Sequence, residues 1–168
     1  MTTVAVIPAR YESSRFPGKP LANQTGKYLI QHVVEQVAQA RSIDRVIIAT
    51  DDDRIRRAVE SFGRQAVMTR REHPSGTDRV AEVAAGLDPT VDIVVNVQGD
   101  EPEIRPESID TLVAQLTGDP QADMATLACP FGPDDDQADP NCVQVVLDDR
   151  HRALYFSRSL IPYPRAAA

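Results

Sequence analysis

Three basic side chains follow the first apolar run of the sequence, in the stretch PARYESSRFPGKP over residues 8–20. Arg10 and Arg15 supply guanidinium groups that bind phosphate oxygens in pairs, and Lys19 adds a compact positive charge. Ser13 and the main-chain amides add hydrogen-bond donors, and the glycine lets the backbone approach a ligand closely. The stretch has neither a dinucleotide-binding glycine pattern nor a Walker pattern. Its composition favours a triphosphate ligand over a rigid capped turn, because such a turn leaves the cations unexplained.

Two adjacent carboxylates, Asp100 and Glu101, follow another apolar run, in the stretch QGDEP over residues 98–102. Oxygen ligands of this kind suit Mg²⁺, which proteins hold through one or two carboxylates together with substrate phosphates. By itself the pair is equally compatible with an acidic surface turn. A triphosphate-binding loop at the same edge of a sheet favours a metal site.

A third stretch, REHPSGTDR over residues 71–79, precedes a helical pattern. Ser75 or Thr77 can cap that helix, whose N-terminal amides then face an anion or the polar edge of a base. His73 has no His or Cys ligand near it in the sequence, which favours a turn histidine over a metal ligand. A capped helix with solvated arginines is the alternative for the whole stretch, and it leaves the tight Pro-Ser-Gly unexplained.

Strand and helix patterns alternate along the chain and position these three stretches. The predicted strands are 4–8, 45–50, 65–69, 93–98, 124–129, 143–147 and 153–156, and the predicted helices are 27–40, 51–62, 77–87 and 106–116. Repeated strand–helix units predict an α/β fold with a doubly wound, mostly parallel sheet. The nearly continuous apolar run 93–98 predicts a strand that is covered on both faces. Ligands of such sheets bind beyond the carboxyl ends of the strands, where all three stretches lie.

The length, composition and net charge of the chain argue against several classes of protein. With 168 residues, 42% hydrophobic and 26% charged, the chain has the composition of an ordinary soluble domain. A net charge of −7 argues against non-specific nucleic-acid binding. No apolar run reaches membrane-spanning length, so we expect a cytoplasmic protein. Residues 1–30 nevertheless hold four basic side chains against one acidic one, which indicates a small anionic ligand there. Cys129 and Cys142 are too few for a zinc cluster and are predicted to be buried thiols.

The stretch IPAR…SSRFPGKPL resembles the signature of the cytidylyltransferases that activate acidic sugars, in particular the 3-deoxy-manno-octulosonate cytidylyltransferase family. Further stretches resemble that family in the same order, and they are IQHV, VIIATDD, HPSGTDR, VNVQGDEP, DMATLACP and ALYFSRSLIPYPR. Relatives that act on sialic acid share the Pro-Ala-Arg and Pro-Gly-Lys, but usually place Gly-Gly-Ser between them. The resemblance covers essentially the whole chain.

This resemblance implies transfer of CMP from CTP to 3-deoxy-D-manno-octulosonate (Kdo) with release of pyrophosphate, for lipopolysaccharide biosynthesis. It implies Mg²⁺ as cofactor, with Asp100 as its ligand, and catalytic roles for Lys19, Arg10 and Asp100. The expected nucleotide contacts are Ala9, Arg10, Ser13, Arg15, Lys19, Arg71, Ser75, Gly76, Arg79 and Gln98. Gln98 and Arg158 are the expected sugar contacts, although Arg158 is equally compatible with a surface cation.

The resemblance also sets expectations for organisation and partners. We expect one nucleotidyltransferase domain over 1–168, with a nucleotide-binding half over 1–105 and the start of a sugar-binding and dimerisation part over 122–168. Members of the family are longer than this chain, so a second metal carboxylate, further sugar contacts and much of a homodimer surface are expected outside it. The expected partners are CTP and Kdo, rather than nucleic acid or membrane. Two alternatives stay open: a transferase for sialic acid or 8-amino-Kdo, and a catalytically silent nucleotide-binding module.

Overall fold

The computed structural model describes residues 1–12, 16–163 and 165 of the chain. Two of the predicted nucleotide contacts, Ser13 and Arg15, lie outside these described residues. The chain divides into two units, Met1–Ala125 and Thr126–Ala168, which are described separately below.

A four-stranded parallel sheet forms the centre of the first unit. In chain order its elements are β1 (Thr2–Ala9), α1 (Leu29–Val37), β2 (Arg45–Thr50), α2 (Asp53–Ser61), β3 (Gln65–Met68), α3 (Gly76–Ala85), β4 (Val91–Asn96) and α4 (Pro106–Gly118), with a short 3-10 helix at Lys19–Leu21. The strand order is β3-β2-β1-β4, and each neighbouring pair is parallel. The first strand is therefore central, and the chain winds outward from it in both directions. This confirms the predicted α/β, doubly wound architecture.

Apolar side chains of β1 are buried on both faces of the sheet. Ala5 and Ile7 pack in one cluster with side chains from α1, α2 and α4. Val4 and Val6 point to the opposite face and pack with Val80 and other residues of α3. Because successive side chains of a strand point to opposite faces, this alternation fixes which residues of β1 face each helical layer. It also leaves the carboxyl end of the strand as the place where polar residues emerge.

The prediction that both faces of the fourth strand are covered was wrong. β4 lies at the edge of the four-stranded sheet, and its alternate residues Asp92, Val94 and Asn96 are exposed. On this face of the sheet α3 packs mainly on β1, so it leaves the side chains of the edge strand β4 largely uncovered. An apolar run therefore indicates a strand, but does not tell whether that strand lies at the centre or the edge.

The predicted strand at 124–129 was also wrong. These residues have no regular secondary structure, and Met124 and Leu127 are 80% and 50% exposed. A strand is stabilised by hydrogen bonds to a neighbouring strand, and none of the described strands pairs with this run.

The second unit, Thr126–Ala168, contains an antiparallel pair, β5 (Gln144–Leu147) and β6 (Ala153–Ser157). Both strands confirm predictions. The side chain of Gln144 is buried, donates to the Gln137 carbonyl at 2.7 Å and accepts from the Ile161 amide at 3.2 Å. This one side chain therefore ties the pair to the segments on either side of it.

The two cysteines of the second unit differ from their prediction. Cys129 is exposed and Cys142 is partly exposed, so neither is a buried thiol. The loop that separates them is mostly exposed. None of the helices described here is both long and apolar enough to span a membrane.

Candidate functional site

A cavity of about 510 Å³ lies at the carboxyl ends of β1 and β4. These two strands are neighbours at the point where the strand order reverses, which is where ligands bind in open α/β sheets. Its walls come from all three stretches singled out in the sequence: Pro8, Ala9, Arg10, Phe16, Lys19 and Pro20; His73, Ser75, Gly76 and Arg79; and Gln98, Gly99 and Asp100. Residues from three separate parts of the chain thus meet around one space.

Two glycines allow the three stretches to meet, because both lie against Pro8. A Cβ atom at Gly99 would lie 2.6 Å from the carbonyl oxygen of Pro8, closer than real Cβ atoms come to a backbone. A Cβ atom at Gly76 would lie 3.2 Å from Cγ of Pro8, which is a tight contact. Glycine at these positions therefore serves close packing of backbone against backbone and ring.

Helix α3 begins at the cavity wall. Ser75 caps it, since the Ser75 hydroxyl oxygen accepts a hydrogen bond from the Asp78 amide at 3.2 Å. The same hydroxyl donates to the Asp78 carboxylate at 2.5 Å. Ser75 and Gly76 both line the cavity, so the positive end of the helix dipole lies at its rim. The predicted cap is confirmed as Ser75 rather than Thr77.

Arg79 lies in the cavity wall but uses its guanidinium within the protein. Its side chain is 3% exposed, and Nη2 binds the Asp51 carboxylate at 2.8 Å. Nη1 donates to the Arg70 carbonyl at 3.2 Å and to the Thr69 hydroxyl. The guanidinium thereby ties α3 to the residues that follow β2 and β3. A direct contact between Arg79 and a nucleotide stays a prediction. The contacts that the Arg79 guanidinium makes in the structure stabilise the cavity wall.

His73 also belongs to the wall and is held there by Glu82. The His73 side chain is 10% exposed, and its Nε2 hydrogen-bonds to the Glu82 carboxylate. That bond, with one from the Arg70 amide at 3.1 Å, lowers the pKa of Glu82. Within the part of the chain that the structure describes, no group of three or more His, Cys, Asp or Glu side chains could hold a metal. The bond to Glu82 gives His73 a structural role in the wall.

Lys19 and Asp100 form an ion pair inside the cavity. Their Nζ and Oδ2 atoms are 2.8 Å apart, and the side chains are 41% and 55% exposed. A pair this exposed contributes roughly 0–1 kcal/mol, because solvent screens the attraction. Each partner is therefore available for a stronger one, a phosphate for the lysine and a cation for the carboxylate.

The cavity fits a divalent cation only in company with phosphates. Asp100 is the carboxylate among its described lining residues, while the neighbouring Glu101 is exposed and outside the wall. Mg²⁺ is typically held by one or two carboxylates with the remaining positions filled by phosphate oxygens and water. The donor set is compatible with that mode of binding.

The other predicted contacts differ in where they lie. Ala9, the last residue of β1, and Arg10, which follows it, both line the cavity. Gln98 also lines the cavity, and its side-chain amide donates to the Asn96 side-chain oxygen at 3.2 Å. Arg71 is exposed and is not among the described residues that line the cavity. Arg158 belongs to the second unit, where its guanidinium donates to the Pro140 carbonyl at 2.8 Å.

Sequence analysis did not assign Phe16 or His73 to the site, although both line the cavity. Phe16 is 49% exposed. An aromatic ring inside a charged loop, outside any strand or helix pattern, is the signal that could have found it. For His73 no sequence signal was available, because Glu82 reaches it only through the packing of α3.

A family profile described as cytidylyltransferase matches residues 4–168 of the chain. The chain is 55% identical, over its whole length, to 66% of a 3-deoxy-manno-octulosonate cytidylyltransferase from Syntrophotalea carbinolica. It is 51% identical, over 98% of its length, to 65% of the protein of that name from Escherichia coli. A solved structure of CMP:2-keto-3-deoxy-manno-octonic acid synthetase complexed with CTP matches with a TM-score of 0.85 and 46% identity, over 98% of this chain and 67% of that one. The chain thus spans about two thirds of the length of these relatives.

Substitution of Gly99 by alanine tests the close approach on which the cavity depends. Its Cβ meets the Pro8 carbonyl at 2.6 Å, so the loop and the end of β1 must separate. We expect Gly99→Ala to lower the free energy of unfolding by about 1–3 kcal/mol, as overpacking does. Gly118→Ala is the matched control, because a Cβ there meets nothing within 4 Å. The control should change stability by less than about 1 kcal/mol. Equal urea unfolding curves for the two variants would contradict the close approach.

Proposed function

This chain belongs to the cytidylyltransferase family, and on that basis we propose that it carries the nucleotide-binding part of an enzyme that transfers CMP from CTP to Kdo. The observation behind the proposal is the single cavity that gathers Arg10, Lys19 and Asp100 beside the N-terminus of α3. Two relatives that share about half of its residues are named for this reaction, and a similar solved structure holds CTP. Because the chain spans about two thirds of the length of these relatives, the reaction is proposed for the whole protein.

CTP binds with its triphosphate along the first stretch. Arg10 and Lys19 offset the negative charge of the phosphates, and Ser13 and Arg15 of the same stretch add donors. The base lies against the main chain of Ala9 and the start of α3. The full set of proposed nucleotide contacts is Ala9, Arg10, Ser13, Arg15, Lys19, Arg71, Ser75, Gly76, Arg79 and Gln98. Helix amides and fixed cations favour a polyanion at this place, even in a chain whose net charge is −7.

The reaction is an in-line displacement at the α-phosphorus. The anomeric hydroxyl oxygen of Kdo forms a bond to that phosphorus, the bond to the oxygen that bridges the α- and β-phosphates breaks, and pyrophosphate leaves. The hydroxyl proton passes to solvent. Positioning and charge stabilisation dominate phosphoryl transfer, and the same demands apply to nucleotidyl transfer. Arg10 and Lys19 are the catalytic cations, because they lie where charge develops on the phosphates.

Asp100 is the proposed ligand of Mg²⁺. When bound, the ion neutralises phosphate oxygens and lowers the pKa of the attacking hydroxyl. Asp100 would hold the cation in place of Lys19, and the lysine would then be available to the phosphates. The half-exposed ion pair supports this exchange, because little free energy opposes it.

Further proposals concern the sugar and the assembly. Gln98 and Arg158 contact Kdo, residues 1–105 form the nucleotide-binding half, and 122–168 begin a sugar-binding and dimerisation part. The enzyme acts in the cytoplasm as a homodimer in lipopolysaccharide biosynthesis. Exposed apolar side chains on β6 support a covered surface in the second unit, since Leu154 and Tyr155 are 66% and 62% exposed.

Selectivity among nucleotides tests the proposed function in the chain itself. CTP should raise the midpoint of thermal unfolding more than UTP, ATP or GTP at equal concentration. A site that hydrogen-bonds the exocyclic amine of cytosine leaves its own groups unpaired when uracil binds, which makes the preference strong. Pyrophosphate release by the longer protein with CTP and Kdo, and with sialic acid or 8-amino-Kdo in place of Kdo, then identifies the sugar. Equal stabilisation by CTP and UTP would contradict a cytidylyltransferase site.

Substitutions at the ion pair test the roles of Lys19 and Asp100. Lys19→Ala should weaken CTP binding with and without Mg²⁺ and lower turnover of the longer protein about 10²–10³-fold, as loss of one preorganised charge does. Asp100→Asn should abolish the Mg²⁺-dependent part of CTP binding. It should leave metal-free affinity equal or higher, because Lys19 loses its partner and one like charge leaves the triphosphate.

The matched control for these variants is Lys27→Ala. Lys27 is similarly exposed and pairs with Glu35 at 2.7 Å, but it does not line the cavity. Calorimetric titration with CTP, in Mg²⁺ and in EDTA, should show wild-type affinity for this variant. Wild-type Mg²⁺ dependence in Asp100→Asn would overturn the metal assignment, and equal affinities for Lys19→Ala and Lys27→Ala would overturn the role of Lys19.

A further inference from the structure

Tyr11 lies at the base of the loop that delivers Lys19 to the cavity. Its carbonyl oxygen accepts a hydrogen bond from the Gly18 amide at 2.8 Å, which closes the loop immediately before Lys19. Its ring packs partly buried against the main apolar cluster of the first unit. The same residue therefore contacts the loop through its backbone and the core through its side chain.

The backbone of Gly18 lies against the Cε2–Cζ side of the Tyr11 ring. Its φ is +71°, a left-handed conformation that favours glycine. A Cβ atom there would lie 3.0 Å from Cε2 and 3.1 Å from Cζ of Tyr11. The backbone of Gly18 is thus held at both its amide and its α-carbon by one residue. The short helix at Lys19–Leu21 starts directly after it, so the position of Lys19 depends on this contact.

The Tyr11 ring is held in turn by Arg54. The guanidinium carbon of Arg54 lies 3.3 Å from the ring centroid, a stacked cation–π contact. The plane of the guanidinium is fixed by two hydrogen bonds to the Asp52 carboxylate, from Nε at 2.9 Å and from Nη2 at 2.6 Å. Because a bidentate pair restricts both distance and orientation, Arg54 presents a defined surface to the ring.

Asp52 connects this arrangement to the sheet. Its side chain caps α2 by accepting from the Arg54 amide at 2.8 Å, and its own amide donates to the Thr50 hydroxyl at 3.3 Å. Thr50 is the last residue of β2 and is fully buried. A continuous set of contacts therefore runs from the end of β2 to the residue before Lys19.

We propose that Tyr11 and Arg54 are positioning residues for the nucleotide. The Tyr11 ring, stacked on the Arg54 guanidinium, holds Gly18 and thereby places Lys19 at the cavity. Neither side chain lines the cavity, so their effect is on the loop and reaches the triphosphate through Lys19. The inference rests on the proposed function only for the identity of the ligand. The arrangement itself is testable without any nucleotide.

Arg54→Met is the principal test variant. The Arg54 side chain is 58% exposed, so the variant is expected to fold, and methionine keeps length while removing the charge and the bidentate pair. We expect faster hydrogen exchange of the Gly18 amide, measured by NMR without ligand. We also expect CTP affinity to fall about 2–5-fold, the change that corresponds to loss of an exposed cation–π contact.

Arg56→Met is the matched control. Arg56 lies on the same helix and also binds carboxylates, Asp53 at 2.9 Å and Glu60 at 2.8 Å. It is Arg54, however, and not Arg56, whose guanidinium lies over the Tyr11 ring. Arg56→Met should leave both readouts unchanged. Tyr11→Phe retains the ring and the backbone carbonyl and should match the wild type, whereas Tyr11→Leu should exceed Arg54→Met in both readouts if it folds.

The outcomes separate this inference from the proposed function. Failure of the wild-type chain to bind CTP would overturn the proposed function and, with it, the nucleotide role of Tyr11 and Arg54. With CTP bound by the wild type, faster Gly18 exchange together with weaker binding in Arg54→Met supports the inference. A change in only one of the two readouts, or equality with Arg56→Met in both, overturns it.

Discussion

The contact between the Pro8 carbonyl and the backbone of Gly99 is the constraint on which the candidate site depends. It leaves room only for hydrogen at residue 99, and Gly76 lies tightly against the same proline. Because β1 is central in the sheet and β4 is its neighbour, the ends of these strands bring distant parts of the sequence to one point. The basic stretch at residues 8–20, the start of α3 and the loop that carries Asp100 can share one cavity because their backbones come close together there.

Two ion pairs in the cavity wall, Arg79–Asp51 and Lys19–Asp100, have the same length but differ in burial and therefore in role. Arg79 and Asp51 are 2.8 Å apart, and their side chains are 3% and 16% exposed, so loss of Asp51 would leave the buried charge of Arg79 without its counter-ion. Lys19 and Asp100 are also 2.8 Å apart, but both are half exposed. The first pair therefore maintains the wall, whereas the second can be separated at small cost. An enzyme that binds a polyanion with a cation needs both behaviours in the same space.

The sequence predicts the parallel sheet and its helices well, because buried strands and amphipathic helices have distinct periodicities. The charged stretches locate the cavity because loops after parallel strands share one edge. Tertiary partners are beyond such reasoning: nothing in the sequence pairs Arg79 with Asp51 or His73 with Glu82. The run 124–129 has strand-forming residues, but none of the described strands pairs with it. The exposure of Cys129 and Val94 depends on which residues pack against them. Ser13 and Arg15 lie outside the described residues, so their roles stay predictions.

The central claim is that nucleotide binds where these three stretches meet, and an NMR titration of the chain with CTP and Mg²⁺ tests it most directly. The account predicts that the amide signals that shift most are those of Ala9, Lys19, Gly76, Gly99 and Asp100, and that signals of the sheet edge at Gln65–Met68 stay in place. The largest shifts at that edge, or a spectrum unchanged by millimolar CTP, would contradict it.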